Sequence, residues 1–148
     1  MPNTYSQIYL QLVFAIRHRE RAIPKDHKGS TSPVCGKKAG KLLAVHCMPD
    51  HAHPFVGFRP VISISEFIKQ IKVETTELIN SKKWHRGKFS WQEGYGVFSY
   101  SHSHIDRVIK YINNQEAHQV KSFKDEYHAF LETFEVPYEE RYLFEFFD

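Results

Sequence analysis

The segment MPDHAHPFVGF, residues 48–58, decides the fold of this chain and contains its first candidate site. Residues 51–58 are predicted to form a β-strand, in which successive side chains point to opposite faces. His51 and His53 then lie side by side on one face, while Ala52 turns into the core. Two neighbouring imidazoles can chelate one metal ion.

Further strands and helices are predicted on both sides of this segment. Alternating apolar residues predict strands at 4–16, 41–45, 89–91 and 95–101. Helical periodicity predicts helices at 64–80, from after Ser103 to about 119, and at 123–134. Ser63 and Glu66 form a capping box at the start of the first helix. These elements predict an α+β fold.

The composition indicates one globular domain spanning residues 1–148. A chain of 148 residues with 41% hydrophobic content can bury roughly 68–70% of its unfolded surface. No apolar run approaches the ~20 residues that span a bilayer, and the N-terminus lacks the order of a signal peptide. We therefore expect a cytoplasmic protein with no membrane partner. Cys35 and Cys47 lack metal-binding spacing and are interpreted as reduced thiols.

The positive charges are unevenly distributed, although the net charge is only +3. Basic residues cluster before the acidic C-terminal part, which suits a basic face that meets phosphates. Ordinary solvated loops would give the same pattern, so charge alone leaves both interpretations open. The residues that such a face would use to contact nucleic-acid phosphates are Lys69, Lys72, Lys82, Lys83, Arg86 and Lys88.

Tyr111 and Gln115 occupy the margin of the second helix. Ile105, Val108, Ile109 and Ile112 form its apolar stripe, and positions four apart are neighbours on a helix surface. The phenol and the amide can therefore address one site together. Taken without the histidine pair, Tyr111 would be a half-buried aromatic residue and Gln115 a solvent-facing one.

Other residues compete for functional roles. His102 and His104 are also two apart, but they lie where a strand gives way to a helix cap, so the alternation argument does not apply to them. They are interpreted as surface or DNA-contacting side chains. Several aromatic residues could stack on unpaired bases or simply pack in the core, namely Trp84, Trp91, Tyr95, Phe98 and Tyr100.

Four segments together resemble the single-tyrosine HUH transposases of small insertion sequences, including those associated with REP elements. They are HCMPDHAH from residue 46, SEFIKQIK from residue 65, WQEGYGVFSYSH from residue 91 and YINNQ from residue 111. The resemblance extends in order from Thr4 to Phe146. A His-x-His pair alone is common, whereas the ordered set is specific.

The resemblance implies a fold, a site and a partner. The fold would be a small antiparallel sheet with helices mainly on one side, of the ferredoxin-like or RRM-like kind. His51, His53 and Gln115 would bind Mg²⁺ or Mn²⁺, and Tyr111 would be the nucleophile that forms a 5′-phosphotyrosine. The substrate would be single-stranded or hairpin DNA at element ends. A homodimer with shared active sites would be the working unit.

Two local features depart from the family pattern. Residues 25–40 are rich in Gly, Ser and Pro and lack helical periodicity, so we expect an irregular segment where the family has a helix. Pro54 follows His53 and donates no ladder hydrogen bond, so we expect the strand to bulge or end there.

Alternative functions remain open at this point. A catalytically decayed, HUH-fold nucleic-acid-binding protein is indicated by Pro54, if it disturbs the histidine pair, and by the irregular segment 25–40. A zinc hydrolase that uses the histidines alone would not need Tyr111 or Gln115. A rolling-circle initiator or relaxase shares the same chemistry, but such enzymes are usually larger.

Overall fold

Antiparallel strands form one sheet at the centre of the fold. The computed structural model describes residues 5–17, 40–47, 51–82, 90–113 and 122–146. The four strands in these ranges are β1 (Tyr9–Ala15), β2 (Gly40–Cys47), β3 (His51–Phe58) and β4 (Gly96–Tyr100). Their spatial order is β2-β3-β1-β4. The bounds of β3 are those predicted. β1 begins later than predicted, and Ile16 forms only an isolated bridge with Trp91.

Pro54 does not end the third strand, contrary to our expectation. β3 continues to Phe58, with Pro54 opposite Val45 and His53 opposite His46. The irregularity lies in β2 instead, between Leu42 and Ala44. The missing backbone N–H of Pro54 is tolerated because the residue pairs on either side of it keep the register. The neighbouring strand β2 contains one extra residue, between Leu42 and Ala44, which it accommodates as an irregularity.

One face of the sheet is covered by helix α1 (Ile64–Lys82). The predicted cap is present, because the Glu66 amide donates to Ser63 Oγ at 3.1 Å. The helix buries its apolar stripe against side chains of β1 and β3. Ala52 belongs to this core and is fully buried, as the alternation of β3 predicts. The members of this core on α1 are Phe67, Ile68, Ile71 and Ile79.

The opposite face is shared by two helices, α2 (Ile105–Asn113) and α3 (Phe123–Thr133). Val108 and Ile112 of α2 pack on Phe55, whereas Phe123 and the following apolar residues of α3 pack on β1 and β4. Two of the three longer helices in the described part of the chain therefore lie on one face. The predicted α+β fold class is confirmed.

Residues 139–146 pack over α3, and Gln92 hydrogen-bonds to the backbone of this segment. Gln92 Nε2 donates to the carbonyls of Ile16 at 2.9 Å and Glu145 at 2.8 Å, while its Oε1 accepts from the Glu145 amide at 2.7 Å. Phe144 thereby rests on Phe123 and is buried. This contact fixes α3 against the sheet.

Two expectations fall outside the described residues. The first is the predicted irregular segment 25–40, of which the structure describes only Gly40, the first residue of β2. The second is the predicted continuation of α2 beyond Asn113. No helix among the described residues is both long and apolar enough to cross a membrane.

Gly96 marks the closest approach of β4 to α3. A Cβ at this position would lie 2.8 Å from Cε1 and the hydroxyl oxygen of Tyr127. We expect Gly96→Ala to lower the free energy of unfolding by about 1–3 kcal/mol, because the added methyl overpacks a buried contact. Urea unfolding measures this. Gly57→Ala is the control, since its Cβ would meet its nearest neighbours only at 3.9–4.0 Å; equal losses would contradict the packing argument.

Candidate functional site

His51 and His53 lie on the sheet face that α2 and α3 cover. Their exposed fractions are 1% and 2%. The two ring centroids are 4.6 Å apart and the rings are nearly perpendicular, at 83°. The prediction that alternation places both imidazoles on one face and Ala52 on the other is therefore confirmed.

Aromatic side chains of α3 hold these imidazoles in place. Phe123 stacks on His51 with 3.9 Å between ring centroids and 7° between ring planes. Phe130, two helical turns later, lies 6.0 Å from His53. Both imidazoles therefore pack against aromatic rings of α3.

Glu126 joins the histidine pair from α3. Ser122 caps this helix by accepting from the Asp125 amide at 3.2 Å. This start directs Phe123, Glu126 and Phe130 inward, at spacings of three and four residues. Glu126 is 4% exposed, and its Oε1 lies 3.2 Å from His53 Nε2.

Sequence reasoning missed Glu126, although a signal was present. The apolar stripe of α3 comprises Phe123, Tyr127, Phe130 and Leu131, and Glu126 lies in the middle of that stripe. A carboxylate is almost never fully buried unless it is paired or binds a metal. The position of Glu126 on an apolar stripe therefore indicated a partner, which the sequence could not name.

The cluster fits a divalent cation. One ligand atom from each of His51, His53 and Glu126 lies within 4.8 Å of the others, close to the separation of about 4 Å that ligands of one ion can have. Neither ring nitrogen of His53 makes a hydrogen bond to the residues that the structure describes, and the contact of Nε2 with Glu126 Oε1 is an ion pair only when the imidazole is protonated. A cation between imidazole and carboxylate would bind both groups with the imidazole neutral.

Tyr111 lines a cavity of about 210 Å³ together with Glu126. It projects from the last turn of α2 and is 50% exposed, at the margin of the apolar stripe as predicted. The cavity walls include Tyr100 and Phe130. Gln115, the other residue predicted on this helix, lies outside the described residues.

The comparisons with known proteins address this fold and site. A family model described as "Transposase IS200 like" matches residues 4–115. The chain belongs to the IS200-like transposase family. No curated protein matches it.

Two solved structures share the fold of this transposase chain. One is the crystal structure at 1.90 Å of a candidate transposase from Deinococcus radiodurans R1, with 23% identity and a TM-score of 0.52 over 76% of this chain and 94% of that one. The other is a REP-associated tyrosine transposase bound to a REP hairpin, with 14% identity and a TM-score of 0.55 over 99% of this chain and 92% of that one.

A second tyrosine of the transposase chain borders the same cavity. The Tyr100 hydroxyl donates to Gln11 Oε1 at 3.1 Å. Burial, and secondarily the nearby Tyr111, raise the pKa of Tyr100 to about 12. Tyr100 therefore keeps its proton well above neutral pH.

The lysines predicted to contact DNA differ in their surroundings. Lys69 is exposed on α1. Lys72 Nζ donates to the carbonyls of Gln92 at 3.0 Å and Gly94 at 2.6 Å, and burial, opposed by Glu93, lowers the pKa of Lys72. Lys72 therefore stabilises a loop. The side chain of Lys82 and the residues Lys83, Arg86 and Lys88 lie outside the described part of the chain.

The competing residues also have defined surroundings. His102 and His104 are exposed and form a 3₁₀ turn before α2, and His104 Nδ1 lies 2.7 Å from Ser101 Oγ. Trp91 and Phe98 are buried, so both pack in the core and neither is free to stack on a base. Trp91 donates from Nε1 to Thr75 Oγ1 at 3.0 Å. Tyr95 is 39% exposed, and Trp84 lies outside the described residues.

Proposed function

We propose that this chain is a DNA transposase that cleaves and rejoins single DNA strands during transposition of an insertion sequence. The observation that carries the proposal is the buried group of His51, His53 and Glu126, which adjoins a cavity lined by Tyr111 in a member of a transposase family. The site offers a metal-ligand set and a nucleophile of the required kinds.

Tyr111 is the proposed nucleophile. Its phenol oxygen attacks the phosphorus of a phosphodiester, a bond forms between that oxygen and phosphorus, and the bond from phosphorus to the 3′ oxygen breaks. The 3′ oxygen leaves with a proton, and the 5′ end becomes a phosphotyrosine. Because one phosphodiester replaces another, a 3′ hydroxyl can reverse the step and rejoin a strand without a nucleotide cofactor.

His51, His53 and Glu126 are the proposed ligands of the cation, with Gln115 kept as a further ligand that the resemblance implies. A divalent cation bound there would neutralise charge on the attacked phosphate. Carboxylate and amide oxygens favour Mg²⁺ or Mn²⁺, whereas imidazoles alone favour Zn²⁺. Two imidazoles with one carboxylate also form catalytic zinc sites, so the proposal of Mg²⁺ or Mn²⁺ rests on the family resemblance and on the amide of Gln115, and Glu126 does not decide between the metals.

The proposed partner is single-stranded or hairpin DNA, which the chain would meet in the cytoplasm. One fold neighbour is described as bound to a REP hairpin, and Lys69 offers this chain an exposed cation for phosphate contact. A homodimer with shared active sites remains part of the proposal on the strength of the resemblance. The argument for the decayed alternative from Pro54 is weaker because β3 continues through that residue, whereas its argument from segment 25–40 concerns residues that, except for Gly40, the structure does not describe.

A covalent-adduct assay tests the proposed function. The full chain is incubated with single-stranded and hairpin oligonucleotides from the sequence flanking its own gene, with Mn²⁺, Mg²⁺ or a chelator, and with duplex DNA as the control. We expect a protein–DNA adduct that survives denaturation and requires both a metal and a single strand. DNA binding that is unaffected by chelator, with no adduct under any metal, would instead indicate a binding protein.

A further inference from the structure

A second cavity, of about 280 Å³, lies against Tyr111 and is lined by residues of β1, β4, α2 with the turn before it, and α3. Its walls are largely apolar and aromatic, formed by Tyr100, Val108 and Phe130. Glu126 does not line it, whereas it lines the first cavity. The proposed nucleophile borders both cavities, together with Tyr100 and Phe130, and only the second cavity is also lined by Gln11, Arg107 and His104. We call this second space the base pocket.

Gln11 supplies the buried polar group of the base pocket. It lies opposite Phe55 in the sheet register and is 1% exposed. Its Oε1 accepts from the Tyr100 hydroxyl at 3.1 Å, and the raised pKa of Tyr100 keeps that hydroxyl protonated. Its Nε2 has no hydrogen-bond partner among the described residues. A buried amide donor therefore borders the pocket and lacks an acceptor.

Arg107 and His104 add positive and polar groups to the same pocket. Arg107 is exposed and forms no ion pair with any residue in the described ranges. It lies one helical turn before Tyr111 and so shares its side of α2. His104 is held by Ser101 through Nδ1 at 2.7 Å. A cation therefore adjoins an apolar pocket that contains one buried donor.

These features favour a nucleobase over a bare phosphate as the occupant. A phosphate needs several donors around it, whereas the walls here are mostly apolar and aromatic, with one buried amide and the two exposed residues Arg107 and His104. A base has apolar faces that pack on aromatic side chains and an edge that accepts hydrogen bonds. The phosphate attached to that base would then lie near the exposed guanidinium of Arg107.

We propose that the base pocket binds one unpaired base of the DNA strand that Tyr111 attacks, with Gln11 Nε2 donating to the edge of that base and Arg107 contacting the phosphate of the same nucleotide. The inference rests on the proposed function for the identity of the strand. It makes Gln11 a specificity-determining residue, because only a base with an acceptor at the matching edge satisfies its amide.

Binding of one-base strands tests this assignment. Each fluorescent probe has about twelve abasic nucleotides and carries a single A, C, G or T at its centre, and an all-abasic strand of equal charge is the reference. We expect wild-type protein to bind at least one of the four about ten-fold more tightly than the reference. Gln11→Leu should abolish that preference, whereas Gln7→Leu, at an exposed position before β1, should keep it.

Arg107→Ala separates phosphate contact from base contact. It should weaken binding of all five strands by a similar factor and reduce the salt dependence, because it removes one phosphate contact. If wild-type protein binds all five strands equally, the pocket takes phosphate alone or nothing, and the assignment is overturned. A preference that survives in Gln11→Leu overturns it as well.

A measurement on wild-type protein covers the case in which Gln11→Leu fails to fold. The side-chain amide of Gln11 is followed by ¹⁵N NMR while the preferred one-base strand or the abasic strand is added. We expect its resonances to shift with the base-containing strand only. Unchanged resonances, or equal shifts with both strands, would show that the amide does not contact a base.

The base pocket and the proposed function fail in distinguishable ways. If the Tyr111 adduct forms and Gln11→Leu keeps the wild-type base preference, only the base pocket is wrong. If Gln11→Leu loses the preference but no adduct ever forms, the pocket is right and the nuclease assignment is wrong.

Discussion

Replacing Tyr111 with Phe is expected to abolish the covalent protein–DNA adduct, with DNA binding close to that of the wild type. The substitution removes one oxygen from a side chain that is 50% exposed, so the free energy of unfolding should change by no more than about 0.5 kcal/mol. The loss of adduct would then report the chemistry and not the fold. Denaturing electrophoresis of the reaction with labelled DNA measures it.

Tyr5→Phe is the matched control for this substitution. Tyr5 is 93% exposed and precedes β1, so its variant should form the adduct at the wild-type level. Mass spectrometry of the wild-type adduct should locate the modification on Tyr111. An undiminished adduct in Tyr111→Phe would remove this residue from the mechanism, and Tyr100, with its pKa raised to about 12, would be a poor replacement.

Glu126→Gln is expected to weaken Mn²⁺ binding by at least about ten-fold, the lower end of what removing a supporting group from a metal site costs. The substitution keeps the shape of the side chain but removes its charge. In the wild type we also expect Mn²⁺ to raise the melting temperature, because a ligand that binds only the folded state stabilises it. Calorimetric titration and thermal unfolding measure both effects without any DNA.

The control for Glu126 lies on the same helix. Glu132 is exposed on α3, so Glu132→Gln should bind Mn²⁺ like the wild type. His51→Ala and His53→Ala should lose binding to at least the same extent as Glu126→Gln. Wild-type Mn²⁺ affinity in Glu126→Gln would mean that the carboxylate only pairs with His53, and the third ligand would then have to be sought at Gln115.

The sequence predicted those parts of the fold that depend on neighbouring residues. Alternation in β3 gave the correct strand bounds and the correct faces for His51 and Ala52. The capping box at Ser63 gave the correct start of α1. The apolar stripe of α2 correctly placed Tyr111 at its margin. Each of these signals acts within a few residues, so a single sequence contains it in full.

Pro54 shows where such local reasoning was insufficient. The residue is unfavourable for an interior strand when taken alone, yet β3 runs through it because strands on both sides hold the register and β2 absorbs the irregularity near Leu42. The propensity of one residue was overridden by pairing with segments that are distant along the chain.

The sequence by itself determined that two imidazoles share a strand face and that a tyrosine lies at the edge of a helix. Only the tertiary structure decided that Glu126 completes the histidine cluster and that the Gln11 amide faces a pocket beside Tyr111. These residues lie on separate elements, and they meet because α2 and α3 bury their apolar stripes on the same sheet face. Burial of apolar surface is non-directional, so no local pattern in the sequence specifies which polar groups it brings together.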